Sequence, residues 1–106
     1  MEIVEFFKIM ILTIDLKNVN LGPAPNYDGL RQQIGLTIDT SLSGPRAGQW
    51  IGGRTKNKKI YLFFRVSDPV KAKKFILRSL GNQDILSKAK IRITEKHIKW
   101  NNYALL

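Results

Sequence analysis

Alternation of apolar and polar positions is clearest between Ile60 and Val66. Ile60, Leu62, Phe64 and Val66 fall on one side of an extended chain, and Tyr61, Phe63 and Arg65 on the other. A period of two predicts a strand. The same period sets Leu12, Ile14 and Leu16 against Thr13, Asp15 and Lys17, in a segment rich in large and β-branched residues. Ile3, Phe6, Phe7 and Met10 also fit a helical stripe, but the alternation favours a strand over 8–16. Ala89, Ile91 and Ile93 alternate with Lys88, Lys90, Arg92 and Thr94, predicting a strand over 88–94. A shorter strand is expected over 49–54, followed by a polar turn from Arg54 to Lys59.

Two segments carry the helical period instead. Over 27–41, Leu30, Ile34, Thr37, Ile38, Ser41 and Leu42 share a face, with Asn26 as N-cap and Asp28 at the positive end of the helix dipole. Gly35 inside this helix suggests a close backbone approach. Over 69–80, Val70, Ala72, Phe75, Ile76, Ser79 and Leu80 form the stripe. Asp68 serves as cap, Pro69 fits the first helical position, and Gly81 is expected to end the helix in a left-handed conformation. Ile85 and Leu86 are expected to anchor the loop that follows. The order strand, helix, strand, strand, helix, strand is that of a ferredoxin-like α+β domain. Two helices would cover one face of a four-stranded antiparallel sheet. Its other face stays open unless a partner or the C-terminal tail from about 95 covers it. The whole chain, 1–106, reads as a single domain.

Charge adds a second layer. The 106 residues hold 18 Lys plus Arg against 8 Asp plus Glu, a formal net charge of +10. Such an excess attracts polyanions: nucleic acid, an acidic membrane surface or an acidic protein. There is no cysteine, which removes disulfides, thiolate nucleophiles and cysteine metal sites. The most apolar run, Ile9 to Ile14, falls far short of the roughly 20 residues a spanning helix needs. The opening Met-Glu-Ile-Val-Glu lacks the basic start of a signal peptide. The expectation is a soluble cytoplasmic protein with no membrane partner.

Little in the chain suggests catalysis. Gly48-Gln49-Trp50-Ile51-Gly52-Gly53-Arg54-Thr55 has the spacing of a phosphate-binding loop, with Arg54 in place of lysine. That mechanism needs a helix after the loop, and a strand is expected there instead. His97 is the sole histidine and reads as a solvated surface residue. No pair of carboxylates is obviously convergent. No enzyme, cofactor, metal site or small-molecule substrate is expected.

The basic residues cluster. Arg54, Lys56, Lys58 and Lys59 crowd one hairpin tip, and Lys71, Lys73, Lys74 and Arg78 sit on the second helix. On the open sheet face, Tyr61, Phe63 and Arg65 are expected beside Lys90 and Arg92. Aromatics flanked by cations can stack single-stranded bases. This loosely resembles an RNA-recognition motif, whose third strand carries aromatics two apart. The Lys/Arg-Gly-Phe signature of that motif is absent, and the first strand has no matching aromatic in its middle. Alternatively, Tyr61 and Phe63 pack beneath the tail, against Trp100 and Tyr103.

A longer pattern runs from Leu30-Arg31-x-x-Ile34 through Leu42 to Gly48-x-Trp50-x-Gly52-Gly53. It continues through Ile60-x-x-Phe63-Phe64-x-Val66-x-Asp68, then Ala72, Ile76 and Leu80, and ends near Leu86-x-x-Ala89-x-Ile91. It resembles small ferredoxin-like bacterial proteins, some of them similar to immunity proteins encoded beside polymorphic or contact-dependent toxins. The resemblance implies a non-enzymatic protein that neutralises a cognate toxin by direct binding. The toxin surface would then be acidic, or the contact would avoid the basic patches. The Arg54–Lys59 hairpin is a natural contact because it projects from the sheet. The alternative is a domain that binds single-stranded RNA or DNA through Tyr61, Phe63, Arg65, Lys90 and Arg92.

Overall fold

Both helices start where a side chain meets N–H groups that have no helical partner. Asn26 Oδ1 accepts from the Gly29 N–H at 2.9 Å and opens α1 (Tyr27–Ser43). Asp68 Oδ1 accepts from the Lys71 N–H at 3.2 Å and opens α2 (Pro69–Gly81), with Pro69 at the first position, where its missing N–H costs nothing. The computed structural model describes residues 6–81 and 87–99. The strands are β1 (Phe6–Asp15), β2 (Gly48–Lys56), β3 (Lys59–Val66) and β4 (Lys90–Lys99). They form one antiparallel sheet in the order β2-β3-β1-β4. With two helices in the order βαββαβ, this is a ferredoxin-like α+β fold.

The register decides which side chains share a face. Met10, Leu12 and Ile14 lie opposite Phe64, Leu62 and Ile60. All six are fully buried, and Leu16 and Val66 extend the row. Against it pack Ile34, Ile38 and Leu42 from α1, and Ala72, Ile76 and Leu80 from α2. The Ser41 and Ser79 hydroxyls meet at 2.7 Å where the helices touch, so the buried Ser79 has a partner. No helix among the described residues is long and apolar enough to cross a membrane.

Several expectations change in detail. Val70 is 83% exposed, because it sits about 200° around α2 from Ala72, nearly opposite the buried stripe. Thr37 is also exposed, and its hydroxyl donates to the Gln33 carbonyl one turn back. Gly81 is the last residue of α2 and has no positive φ. The last strand starts at Lys90 rather than 88 and runs to Lys99, so 95–99 belong to the sheet and not to a tail. Its later residues are held by ladder pairing with Phe6–Met10 of β1, which requires no alternation in the sequence. The expectations for Ile85, Leu86, Trp100 and Tyr103 lie outside the described residues, as does the side chain of His97.

β2 is longer than expected and irregular. Trp50 pairs with Phe64 and Gly52 with Phe63, so Ile51 is the extra residue of a β-bulge. Trp50 faces the helices. Its indole lies over Gly35, where an added Cβ would come within 2.6 Å of the ring. The Trp50 N–H donates to Asp39 Oδ1 at 2.8 Å, and the indole N–H donates to the Gly52 carbonyl at 2.8 Å, closing the bulge. Arg31 reaches from α1 past Gly53 to Thr55 Oγ1 at 3.2 Å. The glycine-rich run therefore docks β2 onto α1. No helix follows it, so it is not a phosphate loop.

Candidate functional site

The helices lie on one side of the sheet, and the register places four rungs on the other. The first rung holds Gln49, Arg65 and Ile9, and the second Gly52, Phe63, Ile11 and Thr94. The third holds Arg54, Tyr61, Thr13 and Arg92, and the fourth Lys56, Lys59, Asp15 and Lys90. Neighbouring strands are about 4.8 Å apart, and successive rungs on one face about 7 Å. Tyr61 and Phe63 are therefore one rung apart on the inner strand β3.

Of the candidate residues on the hairpin and the sheet, all but Lys58 share this face, whereas Lys71, Lys73, Lys74 and Arg78 lie on α2. Arg54, Lys56, Lys90 and Arg92 are exposed, while Lys59, Tyr61, Phe63 and Arg65 are half-buried. Arg54, Lys56, Lys59, Arg65, Lys90 and Arg92 stand on these rungs with Asp15 as a carboxylate among them. The guanidinium of Arg54 sits over the Tyr61 ring at 5.1 Å from its centroid, a cation–π contact. Arg65 donates to Gln49 Oε1 at 3.0 Å. Ile9, at the first rung, is 1% exposed, so that end of the face is closed while Arg54, Arg92, Lys56 and Lys90 of the third and fourth rungs are presented to solvent.

Lys58 belongs to the β2–β3 turn instead. Asn57 and Lys58 have φ of 52° and 60°, the pair of left-handed residues that a two-residue type I′ hairpin requires. The Lys58 carbonyl accepts from the Leu16 N–H at 2.9 Å, tying the turn to the end of β1. The turn therefore projects Lys58 beyond the sheet while Lys56 and Lys59 remain on the last rung.

Sequence reasoning missed Asp15, the acid between Lys59 and Lys90. Its polar-side position in the alternation was visible, but its neighbours depend on strand order. It also missed Lys17, next to Lys58 at the sheet end. Among the described residues, no group of three or more His, Asp or Glu could hold a metal ion.

The face can hold extended anions along its last two rungs and flat rings on β3. Comparison with known protein families, curated proteins and solved structures finds no match to this chain.

Proposed function

We propose that this protein is a non-enzymatic binding module that lays a single-stranded nucleic acid across the open face of its sheet. The observation that carries this reading is the third rung: Tyr61 on an inner strand, capped by Arg54 and flanked across Thr13 by Arg92. Aromatic and guanidinium planes stack bases without regard to sequence, and the cations of the fourth rung meet phosphates. Affinity then falls with salt, with a logarithmic slope of about −0.7 per phosphate neutralised. Tyr61→Ala and Phe63→Ala each weaken binding by about 1–3 kcal/mol at fixed salt. The test is a salt series of single-stranded oligonucleotide binding by the native chain and both variants. Equal, weak binding by all three proteins would refute the reading.

A second reading is an immunity-type protein that binds a cognate bacterial toxin. Its support is the tight β2–β3 turn, which fixes Lys56 and Lys58 in exposed positions beside Arg54, a shape suited to contact with an acidic protein surface. In that case adhesion to oligonucleotides is weak and independent of Tyr61. Tight binding to the toxin instead depends on Arg54 and Lys58.

A further inference from the structure

Beyond the fourth rung, the loop after β1 and the β2–β3 turn enclose an open cleft of about 390 Å³. That is near the lower limit for small-ligand sites and is room enough for one nucleotide. Leu21, Pro23, Pro25 and Tyr27 supply an apolar wall, while Lys17, Lys58 and Asn20 supply polar groups. Asn20 Oδ1 already accepts from the Gly22 N–H at 3.0 Å, which leaves its amide hydrogens to donate. No carboxylate is among the described residues that line it, and Asp15, nearby on the chain, is engaged at the Lys17 backbone, where its Oδ1 accepts from the Lys17 N–H at 3.0 Å. The side-chain hydrogen-bonding capacity facing it is thus mainly donor, with two positive charges, and the rest of the wall suits a flat apolar ring.

Lys58 provides a second, independent observation. It occupies the turn position at φ 60°, where glycine is favoured and a side chain is strained. Strain retained at a residue that lines a cleft points to a use for its side chain.

We infer that this cleft binds the phosphomonoester-bearing terminal nucleotide of a strand lying on the open face, with the phosphate held between Lys17 and Lys58 and the base against Tyr27 and the prolines. This rests on the nucleic-acid reading proposed above. The cleft follows directly from the last rung, since Asp15 leads to Lys17 and Lys59 follows Lys58. Tyr27, the first residue of α1, is among its lining residues and offers the terminal base a ring to stack on. A terminal phosphate carries about −1.5 to −2 charges at neutral pH against one for an internal phosphate, which matches two lysines.

The test compares one oligonucleotide in three forms, with a 5′-phosphate, a 3′-phosphate or hydroxyls at both ends. Each is titrated against the native chain, Lys58→Gly, Lys17→Gln and Tyr61→Ala. One phosphorylated form is expected to bind about tenfold more tightly than the hydroxyl form, as loss of a charge-assisted contact implies. Which form it is gives the direction of the strand. Lys58→Gly and Lys17→Gln should abolish that preference, whereas Tyr61→Ala should weaken all three forms by the same factor. Lys58→Gly suits the turn, so a loss of preference in that variant is not a loss of fold. Equal binding of the three forms with Tyr61 still required overturns the terminal-phosphate site and leaves the open-face reading standing. A preference that survives Lys58→Gly places the phosphate elsewhere and also overturns it. Binding indifferent to Tyr61 refutes the open-face reading itself.

Discussion

Replacing Gly35 by alanine should destabilise the protein, although alanine is the better helix former. In an exposed helix interior the exchange is worth about 1 kcal/mol in favour of alanine. Here the new Cβ would lie 2.6 Å from Trp50 Cε2 and Cζ2 and 2.9 Å from Cδ2. An ordinary contact needs roughly another 1 Å, so the indole must retreat by that much. The same indole donates to the Gly52 carbonyl at 2.8 Å, a bond that a retreat of this size breaks. A lost hydrogen bond costs about 1 kcal/mol and overpacking typically about 1–3 kcal/mol. The net expectation is a loss of about 1–3 kcal/mol. With a urea slope of about 2 kcal/mol/M, the unfolding midpoint falls by about 0.5–1.5 M. Circular dichroism during urea unfolding reads this directly. The decisive control is the same exchange in a Trp50→Ala background, where the space is empty and alanine should stabilise by about 1 kcal/mol. A raised midpoint for Gly35→Ala in the native background would show that Trp50 does not press on this helix.

Two further outcomes concern the charged end of the sheet. Lys58→Gly should raise the unfolding midpoint, because glycine adopts φ 60° without the roughly 1 kcal/mol penalty of a side chain; an unchanged or lower midpoint removes the argument that the turn is strained. Asp15→Asn removes the acid between Lys59 and Lys90 and should tighten oligonucleotide binding several-fold at low salt, with the gain vanishing as salt screens the face; weaker binding at low salt would show that Asp15 orders the rung rather than opposing it.

The fold was legible because three strands and both helices carry their own local signals. β3 alternates without interruption, and Asn26 and Asp68 mark the helix starts with side-chain caps that form as expected. What failed was set by partners rather than by local pattern. The end of β4 is defined by the length of β1 beside it, and the bulge at Ile51 by the meeting of Trp50 with Gly35 and Asp39. On the candidate face, alternation placed Tyr61, Phe63 and Arg65 together. Strand order was needed to bring Arg54 and Arg92 to the two sides of Tyr61, and to set Asp15 among lysines. The cleft could not be read at all, since it joins two loops about forty residues apart in the chain.

The bulge in β2 also bears on how the sheet ends. β2 is an outer strand among the described residues, and the N–H and C=O groups along its outer side could template a strand from another molecule. An incoming strand needs an unbroken run of evenly spaced groups, and Ile51 interrupts that run near its middle. Arg54 and Lys56 guard the remaining stretch with like charge. The opposite border, β4, carries the exposed cations Lys90 and Arg92. Two copies meeting along that border would repel each other. The lysines and arginines that give the candidate face its positive charge thus also oppose growth of the hydrogen-bonded ladder into a second molecule.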